Sequence, residues 1–119
     1  MLKFFTIKPK TLLFILFCYV MSYFFQIAYT SGISMYPTLS NHNVSIISPN
    51  YYKYFEMEIG DIVFCDAVGK HLCKRIIKID GFKVWVEGDN KSMSLDSRNF
   101  GWIDVTQVRA KLLYVLWRY

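Results

Sequence analysis

Residues 61–79, DIVFCDAVGKHLCKRIIKI, read as two β-strands folded back on one another. Asp61–Cys65 and Leu72–Ile79 are dominated by β-branched residues, and Val68-Gly69-Lys70 between them holds the glycine that a tight reversal favours. The same vocabulary continues outward. Val44–Ser48 reads as a strand closed by Pro49-Asn50, Asp80-Gly81 marks another turn, and Lys83–Glu87 (KVWVE) alternates as a half-buried strand does. The tail Val105–Trp117 fits a strand or a short helix, and its valine and aromatic content favours the strand. There is no internal repeat, low-complexity tract or Pro/Ser linker. A single, mainly β domain is the expectation.

The N-terminal quarter has a different character. Thr11–Tyr29, TLLFILFCYVMSYFFQIAY, runs for nineteen residues without a charge, close to the ~20 that a helix needs to cross the hydrocarbon core. This predicts a basic arm over residues 1–10, a transmembrane helix over 11–29 and a small β domain over 30–119. A cleavable signal peptide would have a shorter apolar stretch and a small-residue cleavage site, which neither Gln26-Ile27-Ala28 nor Ala28-Tyr29-Thr30 supplies. Lys3, Lys8 and Lys10 place the N-terminus on the cytoplasmic or matrix side and the rest of the chain on the opposite face. A domain this small buries little apolar surface, so membrane lipid or a partner subunit is expected to help stabilise it.

The net charge of +5 raises nucleic-acid binding as a function, but the N-terminal lysines account for three of those charges. The remaining 11 basic and 9 acidic residues are scattered, without a basic stripe interleaved with aromatics, which argues against a nucleic-acid partner. Cys18, Cys65 and Cys73 are odd in number and form no C-x-x-C pair, so neither a metal site nor a disulfide framework is expected. Cys65 and Cys73 either face each other across the hairpin or act as small buried hydrophobes; the second is the simpler expectation.

Three segments carry chemistry. Ser31–Thr38, SGISMYPT, sets a serine in a glycine- and proline-bounded loop, which exposes a hydroxyl on a tight backbone. By itself it is a turn, and a serine nucleophile also needs a base. His42 and His71 have no sequence context that ties them to an acid partner, so a Ser-His-Asp triad lacks support. Lys74 sits in the mostly apolar run HLCKRIIKI. Burial there would lower its pKa and make it a base near neutral pH; a solvent-facing lysine is the alternative. Residues 88–98, GDNKSMSLDSR, form a polar loop in which Asp96 and Arg98 are spaced to pair.

Together SGISMYPT, GDIVF, CKRII and VWVEGDNKSMSLDSR closely resemble the ordered boxes of the type I signal peptidases, and among them the mitochondrial inner-membrane branch. The resemblance runs from the apolar segment to the end of the chain. It implies a signal-peptidase-like β fold in which Ser34 is the nucleophile and Lys74 the general base. Ser94 would orient the lysine amine, Asp96 and Arg98 would pair to support that loop, and Gly88, Asp89 and Asn90 would build the floor beneath the site. Met35 and Pro37 would shape the serine turn, and Gly60-Asp61 would open a core strand. Cys73 immediately before Lys74 points to the mitochondrial branch, and a lysine rather than a histidine at position 74 separates the chain from the endoplasmic-reticulum type.

The resemblance implies an endopeptidase with no metal or organic cofactor, acting on precursor proteins that carry a signal or sorting peptide. Its location would be the mitochondrial inner membrane, single pass, with the N-terminus in the matrix and the domain in the intermembrane space, in company with a second homologous subunit. A bacterial plasma-membrane enzyme and a non-catalytic subunit of such a protease are the alternatives. Two features depart from the pattern. Gly32 stands where many bacterial members have the serine that completes the oxyanion hole, and Lys74 and Gly88 are separated by only 14 positions, where relatives insert a longer β-rich stretch.

Overall fold

The computed structural model describes residues 6–118. Lys3 of the basic arm lies outside them. One helix, α1 (Pro9–Phe24), leads into strand β1 (Gln26–Ser31), and the rest of the chain builds a seven-stranded antiparallel sheet. The other strands are β2 (His42–Ser48), β3 (Ile62–Ala67), β4 (Lys70–Asp80), β5 (Lys83–Glu87), β6 (Ile103–Asp104) and β7 (Val108–Arg118). Their order across the sheet is β1-β2-β7-β3-β4-β5-β6. Two four-residue helices, α2 (Tyr51–Tyr54) and α3 (Ser97–Phe100), punctuate the loops, and a 3-10 turn over Val105–Gln107 precedes β7.

The hairpin expected over 61–79 forms, with Asp66 opposite His71 and Val63 opposite Lys74. Its period of two is visible in the burial: Val63, Cys65 and Ala67 face inward, and Ile76 follows Lys74 on the inner side of β4. Those residues join Val84, Val86 and Ile103 in the core cluster. Each such fully buried branched side chain contributes about 1.5–3 kcal/mol. Cys65 lies opposite Leu72 and Cys73 opposite Phe64, so the two thiols do not meet across the hairpin; all three cysteines are free. The tail is a strand from Val108 onward, and its first residues, Val105–Gln107, are the 3-10 turn.

The N-terminal helix is shorter than the sequence predicts. It ends at Phe24, and Phe25 is already extended. Residues 26–29, expected to be helical, lie in β1, where Gln26, Ile27, Ala28 and Tyr29 pair with Ile47, Ile46, Ser45 and Val44. The physical reason is that pairing: it satisfies the backbone of QIAYTS as a strand, with Ile27 and Tyr29 exposed and Ala28 and Thr30 half-buried in a period-two division. At 1.5 Å per residue α1 is about 24 Å long, and no described helix is long and apolar enough to cross a membrane. Along α1 no residue is buried, and Leu12, Leu13, Phe14, Ile15, Leu16 and Phe17 are all more than half exposed.

Candidate active site

Ser34 sits in the turn between β1 and β2. The turn is fixed from within by Tyr36 N donating to Ile33 O (3.1 Å) and Leu39 N to Met35 O (2.9 Å). Met35 and Leu39 are both 3% exposed, so this loop is plugged into the domain by its apolar residues while Ser34 stays partly accessible. Gly32 has φ +110°, a conformation that a side chain at this position would strain. A serine hydroxyl of the bacterial kind therefore does not fit the backbone here.

From the other side the loop 88–98 grips the serine turn. Asn90 N donates to Ser34 O (2.8 Å) and Asn90 Nδ2 to Ile33 O (3.0 Å). Gly88 approaches so closely that a Cβ on it would overlap Ser94 Oγ and lie 2.5 Å from Ser34 O. Asp89 ties in a third element. It accepts from Thr38 Oγ1 (2.5 Å) and takes a two-pronged contact from Arg75 through Nε (2.9 Å) and Nη2 (2.8 Å). Arg75 lies next to Lys74 on β4, so one carboxylate joins the serine turn to the strand that carries the lysine. Arg75 Nη1 also donates to Gly60 O (2.8 Å). Sequence reasoning gave Thr38 and Arg75 no role. Their places within the SGISMYPT and CKRII boxes were the available signal.

Lys74 is 3% exposed and is the only buried lysine among the described residues. Burial is the largest influence on its amine and lowers its pKa; the Asp96 carboxylate opposes that shift in part. Asp96 is itself fully buried. Burial alone would raise its pKa, but the bonds it receives hold it well below the ordinary carboxylate range. They come from Arg98 Nε and Nη2 (3.0 Å each), Gly88 N (2.9 Å), Ser94 Oγ (2.7 Å) and Arg98 N (3.0 Å). Asp96 also caps α3, in a reciprocal arrangement with Asn99. Because Ser94 gives its proton to Asp96, its oxygen lone pairs are left to accept from an amine.

Among the described residues no hydrogen bond joins Ser34 Oγ directly to Lys74 Nζ. Their surroundings do meet: Gly88 touches both Ser34 and Ser94, Asp96 acts on both Ser94 and Lys74, and Cys73 lines the same small cavity as Ser34. That cavity, about 20 Å³, also carries Thr30, whose Oγ1 is buried and without a hydrogen-bond partner. No group of three or more His, Cys, Asp or Glu side chains able to hold a metal occurs among the described residues. His71 pairs with Asp66 on the hairpin and His42 with Tyr29 at the start of β2.

The site thus offers a partly exposed serine and a buried lysine of lowered proton affinity, on segments that the loop 88–98 links. Residues 5–87 match the family described as signal peptidase, peptidase S26, and the chain belongs to that family as a signal-peptidase-type peptidase. The match includes Ser34 and Lys74 and ends before Gly88. At the level of individual relatives, the chain is 31% identical over 118 residues to mitochondrial inner membrane protease subunit 1 of Schizosaccharomyces pombe, covering 80% of this chain and 75% of the relative. It is 28% identical to subunit 1 of Xenopus tropicalis, covering 80% and 71%. Subunit 2 of Mus musculus is 28% identical over 116 residues, covering 76% and 66%.

Proposed function

We propose that this chain is a membrane-anchored serine endopeptidase that removes signal or sorting peptides from precursor proteins at the mitochondrial inner membrane. The observation that carries the proposal is Lys74: an amine whose proton affinity burial lowers, on the strand that Asp89 ties to the serine turn. In the first step Ser34 Oγ attacks the scissile carbonyl as its proton passes to Lys74 Nζ. The developing oxyanion is met by the Ser34 backbone N–H, and one such donor is typically worth ~3 kcal/mol. Lys74 then returns the proton to the leaving amine, which gives an acyl-enzyme on Ser34. Water, deprotonated by the same amine, attacks the ester and restores the serine. Ser94, whose own proton is committed to Asp96, accepts from the lysine and keeps it aimed. Catalytic hydrogen bonds often tighten only once substrate is in place, so the serine–lysine contact is assigned to the substrate complex.

The anchor in this proposal is α1. It is uncharged from Thr11 onward and none of its side chains packs against the domain core. The apolar exposure continues onto the sheet, where Ile27, Ile46 and Tyr114 are paired in one cross-strand row and Tyr29, Val44 and Trp117 in the next. Ile27, Tyr29, Tyr114 and Trp117 are each about three-fifths exposed or more. An apolar sheet face of this extent, continuous with an apolar helix, suits contact with lipid. N-terminal lysines place the N-terminus in the matrix and the domain in the intermembrane space. The relatives are named as protease subunits, and a second homologous chain is the partner we assign.

The short β4–β5 hairpin keeps open one other role, a non-catalytic subunit of the same complex. A precursor-processing assay separates the two. Ser34→Ala and Lys74→Ala are each expected to lower cleavage by about a thousandfold or more. Parent-like cleavage by both variants would refute catalysis by this chain.

A further inference from the structure

The short helix α2 has features that neither the core nor the active site uses. It joins two parts of the molecule that the chain itself connects only through Phe25. On the α1 side, Asn50 Nδ2 donates to Tyr23 O (2.6 Å), one of the carbonyls at the helix end that lack an intrahelical partner. The Tyr54 and Tyr23 hydroxyls are 3.3 Å apart, the Phe24 and Tyr54 rings are 5.6 Å apart, and Lys53 Nζ lies 5.7 Å from the Tyr23 ring. On the domain side, Tyr52 donates to Asp61 Oδ2 (2.8 Å) and Lys111 Nζ lies 4.4 Å over the Tyr51 ring. The end of α1 is thus linked through α2 to the sheet at several points.

Tyr54 and Phe55 nevertheless remain 59% and 57% exposed, at the level where α1 ends. In the anchoring proposed above, the exposed apolar run of α1 ends there, where the Tyr23 and Tyr54 hydroxyls meet. Tyrosines carry an apolar ring and a polar tip and are enriched at membrane–water boundaries. We propose that the segment Tyr51–Phe55 lies in the headgroup layer of the lipid bilayer, as an interfacial foot that grips the end of α1 and fixes how the domain stands on the membrane. The exposed cation Lys53 is followed, just past the segment, by the exposed acids Glu56 and Glu58, so residues 51–58 together carry no net positive charge to draw them to anionic lipid. The aromatic rings carry the contact, which is therefore expected on zwitterionic lipid and with little dependence on salt.

This foot rests on the anchoring of α1 proposed above, and the test keeps the two apart. Full-length Phe55→Trp, Tyr54→Trp and Phe17→Trp variants are reconstituted into phosphatidylcholine vesicles with or without lipid brominated at a shallow acyl carbon, and the emission each adds over the parent is measured. The expected result is loss of about half or more of the added emission for Phe55→Trp and for Tyr54→Trp, unchanged by high salt. Quenching of Phe17→Trp without quenching at 54 or 55 would leave the anchor intact and overturn the foot. Absence of quenching at all three positions would overturn both.

Discussion

At the scale of single residues, the site depends on a lysine that the fold keeps out of water. As the proposed general base, Lys74 would act only when neutral, and burial shifts its proton affinity downward, so kcat/KM should rise with pH at unit slope and level off below the ordinary lysine pKa. The Asp96 carboxylate favours the charged amine, so its removal lowers the lysine pKa further. In Asp96→Asn the rising limb is therefore expected at more acidic pH, whatever the change in its plateau; a limb moved to more alkaline pH would contradict the assignment of the amine. Gly88 makes a second sharp case. A methyl group there meets Ser94 Oγ and the Ser34 carbonyl, and both lie in elements already pinned by other bonds. Gly88→Ala is expected to reduce kcat/KM at least about a hundredfold, as a misplacement of about 1 Å costs in general, with a circular-dichroism spectrum like that of the parent. Near-parental cleavage would mean that the two loops can part without harm. Gly88 and Ser94 were legible from the motif, but the crowding that makes the glycine necessary comes from the fold of its own loop, which brings Ser94 against it, and from Ser34, more than fifty positions away.

At the scale of elements, three segments must hold register: the serine turn, β4 and the loop 88–98. Asp89 touches the first through Thr38 and the second through Arg75. Thr38→Val keeps the shape of the side chain and deletes the bond. It is expected to lower kcat about tenfold with little change in KM or in melting temperature, and Thr38→Ser, which restores the hydroxyl, should recover most of the loss. Equal activity of the valine and threonine forms would reduce this contact to decoration. The strands themselves were readable. The arms of the β3–β4 hairpin, the limits of β5 and the end of β2 follow from alternation and turn residues, because a half-buried strand must sort its side chains to two faces. The extent of α1 was not readable in the same way. An uncharged run over residues 11–29 is equally apolar as helix or strand, and only pairing with His42–Ser48 converts its last residues into β1. The turns α2 and α3 escaped for a related reason: four residues are too few to show a helical period, and α3 depends on capping by the buried Asp96.

At the scale of the whole molecule, apolar residues serve both a core and an exposed surface, which explains why so small a chain is 54% hydrophobic. The core closes over Val63, Ile76, Val84 and Val86. On strands β1 and β7 Ile27, Tyr29, Tyr114 and Trp117 are exposed, near an α1 with no buried residue. Membrane contact through α1, the sheet face and the foot at Tyr54 would bury what the domain alone leaves open, and would hold Ser34 near a precursor's cleavage site. Family and β class were legible in ordered motifs and local alternation, which survive without coordinates, and the same motifs are what nominate Ser34, Lys74, Ser94 and Asp96 for the proposed site. It took the fold to show that Lys74 is buried, that Asp89 bridges Thr38 to Arg75 and that the apolar run turns into the sheet at Phe25. Each of these is a contact or a desolvation between segments distant along the chain, and no local pattern encodes which distant partner will arrive.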